Sequence, residues 1–127
     1  MRDRQAPDEK LVLWVGSAKR DLMQFPEPVI DAIGSALSVA QFGGVHLAVK
    51  PWKGEGPGVL EIVEDHDRST YRAVYTVRFE KSIYVLHCFQ KKSPRGIKAS
   101  KRDIDLISHR LLSARSDYEV RNGQSKT

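Results

Sequence analysis

The sequence predicts a single α+β domain of order β-α-α-β-β-β-α, a small twisted, mainly antiparallel sheet with helices on one face. Three observations predict it. Near the N-terminus, apolar residues recur at three- and four-residue spacing, the period of a helix buried along one stripe. Downstream, three runs rich in Val, Ile, Tyr and Phe are joined by short polar segments, the pattern of consecutive hairpins. The chain has 127 residues, the size of one domain that can bury a core without disulfides or a structural metal.

Residues 1–10 read as a flexible leader, 11–118 as the domain and 119–127 as a flexible polar tail. Leu11-Val12-Leu13-Trp14-Val15 is a short apolar run suited to a buried strand. Ser17 offers a helix cap before Ala18 to Met23, and Pro26 stops that helix. A second helix fits from about Pro28 to Phe42, with Val29, Ile30, Ile33, Ala36, Leu37 and Ala40 on its buried stripe and Gly43-Gly44 ending it. From Val45 to Gly58, Pro51, Gly54, Gly56, Pro57 and Gly58 mark a connecting loop, with Lys50, Trp52 and Lys53 giving it a basic, aromatic character. Without a strand before it and a helix after it, this is not a phosphate-binding glycine loop.

The three strands span Val59 to Glu64, Thr70 to Phe79 and Ser82 to Gln90. In the middle one, Tyr71, Ala73, Tyr75, Val77 and Phe79 alternate onto one side and are expected to meet the helices. Arg72, Val74, Thr76 and Arg78 take the other, open side. Six residues at ~3.3 Å set the two arginines about 20 Å apart, a span of several nucleotides of single-stranded RNA. Ser100 then caps a last helix carrying Ile104, Ile107, Leu111 and Leu112.

Composition excludes several classes. No apolar run approaches the roughly 20 residues of a membrane span, and Met1 to Lys10 has no signal-peptide core, so a cytoplasmic location with no membrane partner is expected. The lone Cys88 agrees with that. Within an apolar strand, it reads as a packed, inert thiol. Net charge is +5, but residues 67–102 hold ten bases and two acids, a net +8 that leaves the remainder at −3. Charge that concentrated suggests a nucleic acid partner, the alternative being a solvated basic face.

The scattered His46, His66, His87 and His109 do not have metal-ligand spacing. Glu61 and Glu64 fall on opposite faces of a strand, Asp65 and Asp67 read as turn residues, and Asp103 and Asp105 as helix-terminus charges. No metal and no cofactor is expected. What remains is a set of cations: Lys50, Lys53, Arg72, Arg78, Lys91 and Lys92. RNA carries its own nucleophile, the 2′-hydroxyl. A protein cleaves it by removing that proton, stabilising the extra charge on phosphorus and protonating the departing 5′-oxygen. Arg supplies a bidentate clamp, and a Lys crowded by like charge has a lowered pKa. For each cation, simple phosphate binding is the alternative.

Three blocks in order carry a family resemblance: Lys50 to Ile62 (KPWKGEGPGVLEI), Thr70 to Phe79 (TYRAVYTVRF) and Ile83 to Ser93 (IYVLHCFQKKS). With the flanking helices, from about Leu22 to Leu112, the chain resembles the RelE/ParE superfamily of toxins, in its HigB-like, phage-derived branch. The resemblance implies a RelE-like fold and the toxin of a type II toxin–antitoxin pair: a metal-independent, ribosome-dependent mRNA endoribonuclease that inhibits translation. Its implied partners are the ribosome, mRNA and a cognate antitoxin of helix-turn-helix, DNA-binding type, with operator DNA reached only through the antitoxin. The family's strand arginine falls on Arg72, for phosphate stabilisation. Its basic residue ending the last strand falls on Lys92, with Lys91 beside it, as general-acid candidates. Lys50, Lys53 and Arg78 are expected to hold substrate.

The chain departs from the RelE pattern in two places. RelE carries lysines on its second strand, where this chain has Glu61, Ile62 and Val63. It carries a tyrosine after the last strand, where this chain has Ser93, Pro94 and Arg95. The general base therefore stays open. His87 is one possibility, against a buried histidine sharing a side with Ile83, Val85 and Phe89. The competing functions are a non-enzymatic, ParE-like inhibitor with a gyrase-type target, and RNA binding without cleavage.

Overall fold

The computed structural model describes residues 9–91 and 99–123. The order is β1 (Leu11–Trp14), α1 (Ala18–Leu22), α2 (Glu27–Gln41), β2 (Val49–Pro51), β3 (Val59–His66), β4 (Ser69–Thr76), β5 (Ser82–Lys91) and α3 (Lys101–Asn122). The strands form one sheet in the order β1-β5-β4-β3-β2. Only β1 runs parallel to its neighbour β5; the other pairings are antiparallel, so the α+β class and the mainly antiparallel sheet are as the sequence predicts.

The layering differs from expectation. Helices α1 and α2 bury Ala18, Leu22, Val29, Ile33, Ala36, Leu37 and Ala40 against Ile62, Tyr71, Ala73, Tyr75, Ile83, Val85 and Cys88 on one sheet face. Helix α3 buries Ile107, Leu111 and Ala114 on the opposite face, among Val59, Val74, Tyr84, Leu86 and Phe89. The helices therefore flank the sheet on both sides, not one. The reason is in β5, where Ser82 to Phe89 are all buried. A strand apolar on both sides needs cover on both sides.

The edge strand β2 and the tightness of one predicted hairpin escaped the sequence. β2 is a three-residue edge strand paired with β3, where Pro51 is tolerated because an edge strand's terminal residue need not donate to the ladder. The β3–β4 hairpin is tighter than the polar run suggests, pairing His66 with Ser69 around Asp67 and Arg68. Both have positive φ, 49° and 68°, the left-handed geometry of a two-residue hairpin. Arg68 carries none of the usual sequence signal for that turn.

Register in β5 is interrupted. Val74 pairs with His87 but Tyr75 pairs with Val85, so Leu86 is an extra residue in a β-bulge. Its carbonyl accepts from Arg110 Nη1 of α3 at 2.9 Å, and Arg110 Nη2 donates to Ser17 Oγ at 3.1 Å. Gly16 has a φ of 56°, which favours glycine, and a Cβ there would lie 2.9 Å from that guanidinium and push it aside. α3 begins on the predicted cap: Ser100 Oγ accepts from the Asp103 amide at 3.1 Å. It then runs past the predicted end at Tyr118 to Asn122, because Tyr118 stacks on Phe79, centroids 4.8 Å apart.

Candidate nucleic acid interface

Directly opposed residues of a sheet share a face, so register alone assembles the site. Lys50 of β2 opposes Glu61 of β3, Glu61 opposes Val74 of β4, and Val74 opposes His87 of β5. In the next row Val63, Arg72 and Phe89 oppose one another, and beyond it Asp65, Thr70 and Lys91. All lie on the face that α3 covers along β5. Strand spacing of ~4.8 Å keeps neighbouring rows within side-chain reach.

Three of the expected cations, Lys50, Arg72 and Lys91, are thus brought to one face. Lys50 is exposed and Lys91 partly so. Lys53 is exposed in the loop after β2. Lys92 lies outside the described residues.

Arg72 does not project freely, as the alternation suggests. It is 8% exposed, and its Nη1 donates to Glu61 Oε1 at 2.6 Å in a buried ion pair. The sequence reading set Glu61 aside as a metal ligand, because Glu64 falls on the opposite face, and did not pair it with Arg72. The pair leaves one edge of the guanidinium uncommitted: Arg72 Nε is buried with no hydrogen-bond partner among the described residues. That edge is the one with which arginine grips two oxygens of a phosphate.

Arg78 behaves differently. β4 ends at Thr76, and Arg78 folds back over the glycine loop, its Nε donating to the Pro57 carbonyl at 2.8 Å and its Nη2 to that of Glu55. A Cβ on Gly58 would lie 2.7 Å from Arg78 Cγ. The expected pair of arginines 20 Å apart on one strand is therefore replaced by one buried arginine and one loop clasp. Phe79, assigned to the side of α1 and α2, instead packs with α3 because the strand has already ended.

His87 is the residue that sequence reasoning placed on the wrong side. The bulge turns it away from Ile83 and Val85, onto the α3 side with Phe89, whose ring it stacks on at 4.8 Å. Its Nε2 lies 2.8 Å from Asp103 Oδ1. Burial works to raise the Asp103 carboxyl, but hydrogen bonds from His87 and Ser100 outweigh it and hold the carboxyl below its ordinary value. His87 Nδ1 is buried without a partner among the described residues, as is Trp52 Nε1, and Trp52 meets the same Phe89 ring edge-on at 6.5 Å. Three nitrogens without partners, on Trp52, Arg72 and His87, thus surround one phenylalanine. Buried polar atoms are seldom left without a partner, and a bound group or water can supply one; the Tyr75 hydroxyl, on the opposite face, is left in the same way. Cys88 faces the other core, and burial, with the Asp21 charge adding to it, pushes its thiol up to about 12, so it is inert as expected.

The family model "Phage derived protein Gp49-like" matches residues 20–112. The chain belongs to the Gp49-like family. This agrees with the phage-derived branch that the three sequence blocks resemble. No curated protein matches the sequence. Among solved structures, this Gp49-like chain is similar to Escherichia coli toxin RelE in the free state, a double-mutant form, with a TM-score of 0.54 and 13% identity. The match covers 83% of this chain and 97% of that one. At that identity it shows a shared RelE fold. A toxin–antitoxin complex, RelBE2 of Mycobacterium tuberculosis, matches with a TM-score of 0.45 and 19% identity over 65% of this chain and 99% of that one.

Proposed function

We propose that this Gp49-like protein is the toxin of a toxin–antitoxin pair, an endoribonuclease that cleaves mRNA on the ribosome in the cytoplasm and so arrests translation. The observation that carries this reading is the buried Arg72, held through Nη1 by Glu61, with its Nε edge unpartnered on a face that also presents Lys50 and Lys91. A guanidinium fixed at one end and free at the other suits a phosphodiester whose charge grows during cleavage. Lys50, Lys53 and Lys91 hold the flanking phosphates, and Lys92, outside the described residues, is given the general-acid role by the family resemblance alone. The RelE fold supports the reading, since the E. coli protein that shares it is described as a toxin. The partner that restrains it is an antitoxin, of helix-turn-helix type by the family resemblance, which alone would contact operator DNA.

The pair with Glu61 determines how Arg72 is tested. Arg72→Ala would strand a buried carboxylate and unsettle the fold, whereas Arg72→Lys keeps the charge opposite Glu61 and loses the two-pronged edge. Induced wild-type protein is expected to stop growth and leave translated transcripts cut within codons. Arg72→Lys is expected to lower cleavage at least 100-fold while its circular dichroism matches wild type. Intact transcripts with trapped gyrase complexes, or RNA bound and never cut, would replace this reading.

A further inference from the structure

We propose that Arg110 of α3 is a positioning residue for RNA: by holding the Leu86 carbonyl it fixes the register of the end of β5 and so keeps Lys91 on the RNA face. This rests on the reading above that RNA meets that face, and it concerns binding, not the chemical step.

Burial alone does not choose the register. A one-residue slip moves every later side chain of a strand to the other face, and an alternating apolar pattern normally forbids it. β5 has no such pattern, because Ser82 to Phe89 are all buried. The bulge makes the choice. Ile83 and Val85 pack in the α1–α2 core, and Tyr84 and Leu86 in the α3 core. His87 then stays on the α3 side, beside Asp103, instead of alternating back. Beyond it alternation resumes, with Cys88 in the α1–α2 core and Phe89 in the α3 core. Lys91, two residues past Phe89, shares its face. In a strand without the bulge these positions are exchanged: Cys88 and Gln90 would face RNA, and Lys91 would turn away.

Arg110 is the group that recognises the bulged form. The extra residue of a bulge is left out of the ladder, so its backbone groups need other partners. β1 stops at Trp14, opposite Val85, and past that point β5 has no strand on that side. There Arg110 Nη1 donates to the Leu86 carbonyl at 2.9 Å. The guanidinium is braced in turn. Its Nη2 donates to Ser17 Oγ at 3.1 Å, and that hydroxyl donates onward to Asp21 Oδ2 of α1 at 2.7 Å. A planar fork holds both acceptors at once. With α3 on one face of the sheet and α1 on the other, Arg110 reaches around its edge and clamps β5 between the two helices.

The test reads which way the end of β5 faces, in the full chain. In the first arm, anisotropy of a short labelled single-stranded RNA gives the slope of log K against log salt. Lys91→Gln is expected to flatten that slope by about 0.7, the share of one phosphate. Arg110→Met is expected to flatten it equally, and Lys91→Gln added to Arg110→Met to change nothing more. Arg110→Lys, which can still donate to the Leu86 carbonyl, is expected to restore most of the slope. In the second arm, the chain's one cysteine reports the strand's face to dithionitrobenzoate. Arg110→Met is expected to speed labelling of the buried Cys88 about tenfold or more. The Arg110 charge lowers the thiol's pKa, so electrostatics alone would make its removal slow the reaction.

If Arg110→Met does not fold, Ser17→Ala, which removes one of the two acceptors, carries both arms, with smaller shifts in the same directions. Effects of Arg110→Met and Lys91→Gln that add, to about 1.4 in slope, would make Arg110 a phosphate ligand in its own right. An unchanged slope or an unchanged labelling rate would leave it a structural contact. Each of these overturns the positioning role and leaves the RNA reading standing. A wild-type chain that binds no RNA would overturn both.

Discussion

At the scale of single residues, the Arg72–Glu61 pair has two consequences that pull apart. As a contact it is buried on both sides, with side chains 10% and 8% exposed. Such a pair adds little net stability over well-packed apolar residues, because desolvating two charges offsets their attraction. Breaking it is another matter. Arg72→Ala leaves Glu61 buried and uncompensated, and is expected to cost about 3–5 kcal/mol. Replacing both, as Arg72→Met with Glu61→Met, is expected to recover most of that loss. Urea denaturation of the two variants checks this. If the double substitution is no more stable than the single one, the pair is not what makes Arg72 sensitive. Where the double substitution recovers the loss, stability and chemistry separate: that variant folds and does not cleave.

At the scale of elements, α3 is tied to the sheet at its first turn. Ser100 caps the helix and also donates to Asp103 Oδ2 at 2.7 Å, while Asp103 Oδ1 meets His87 of β5. The Asp103 carboxyl is lower folded than unfolded, so its contribution is present above the unfolded value and lost as pH falls through the folded one. Asp103→Asn is therefore expected to cost about 1–2 kcal/mol at neutral pH and progressively less below about pH 4. Denaturation midpoints of variant and wild type on that pH series measure it; a gap independent of pH would contradict the assignment. The same element shows where sequence reasoning reaches. The Ser100 cap, the stripe of α2 and the three strands are legible because caps and apolar periods are local signals. The side on which α3 packs is not, because β5 is apolar on both faces and alternation gives no preference. Nor is the bulge at Leu86, which needs the carbonyl–Arg110 contact from 24 residues away, and without which His87 is assigned to the opposite face. Glu61 was passed over for a related reason. Its partner is set by β3–β4 register, which follows from a hairpin turn at Asp67 and Arg68 that carries no glycine.

At the scale of the whole molecule, charge and fold place different parts of the binding free energy. The chain is +5 overall, with the excess gathered in residues 67–102. Arg72 is spent on Glu61, and Arg78 on loop carbonyls. Binding of single-stranded RNA then draws on Lys50, Lys53 and Lys91 at the rim, each releasing counterions as it meets a phosphate. For single strands the slope of log K against log salt is about −0.7 per phosphate neutralised. Changing the three lysines together to Gln is expected to flatten that slope by about 2 units, whereas Arg72→Lys leaves it as it is. Fluorescence anisotropy of a short labelled RNA over a salt series reads both. A slope that survives the triple substitution would move the RNA off this face, because no screening argument lets three lysines contact phosphate without salt competing for them.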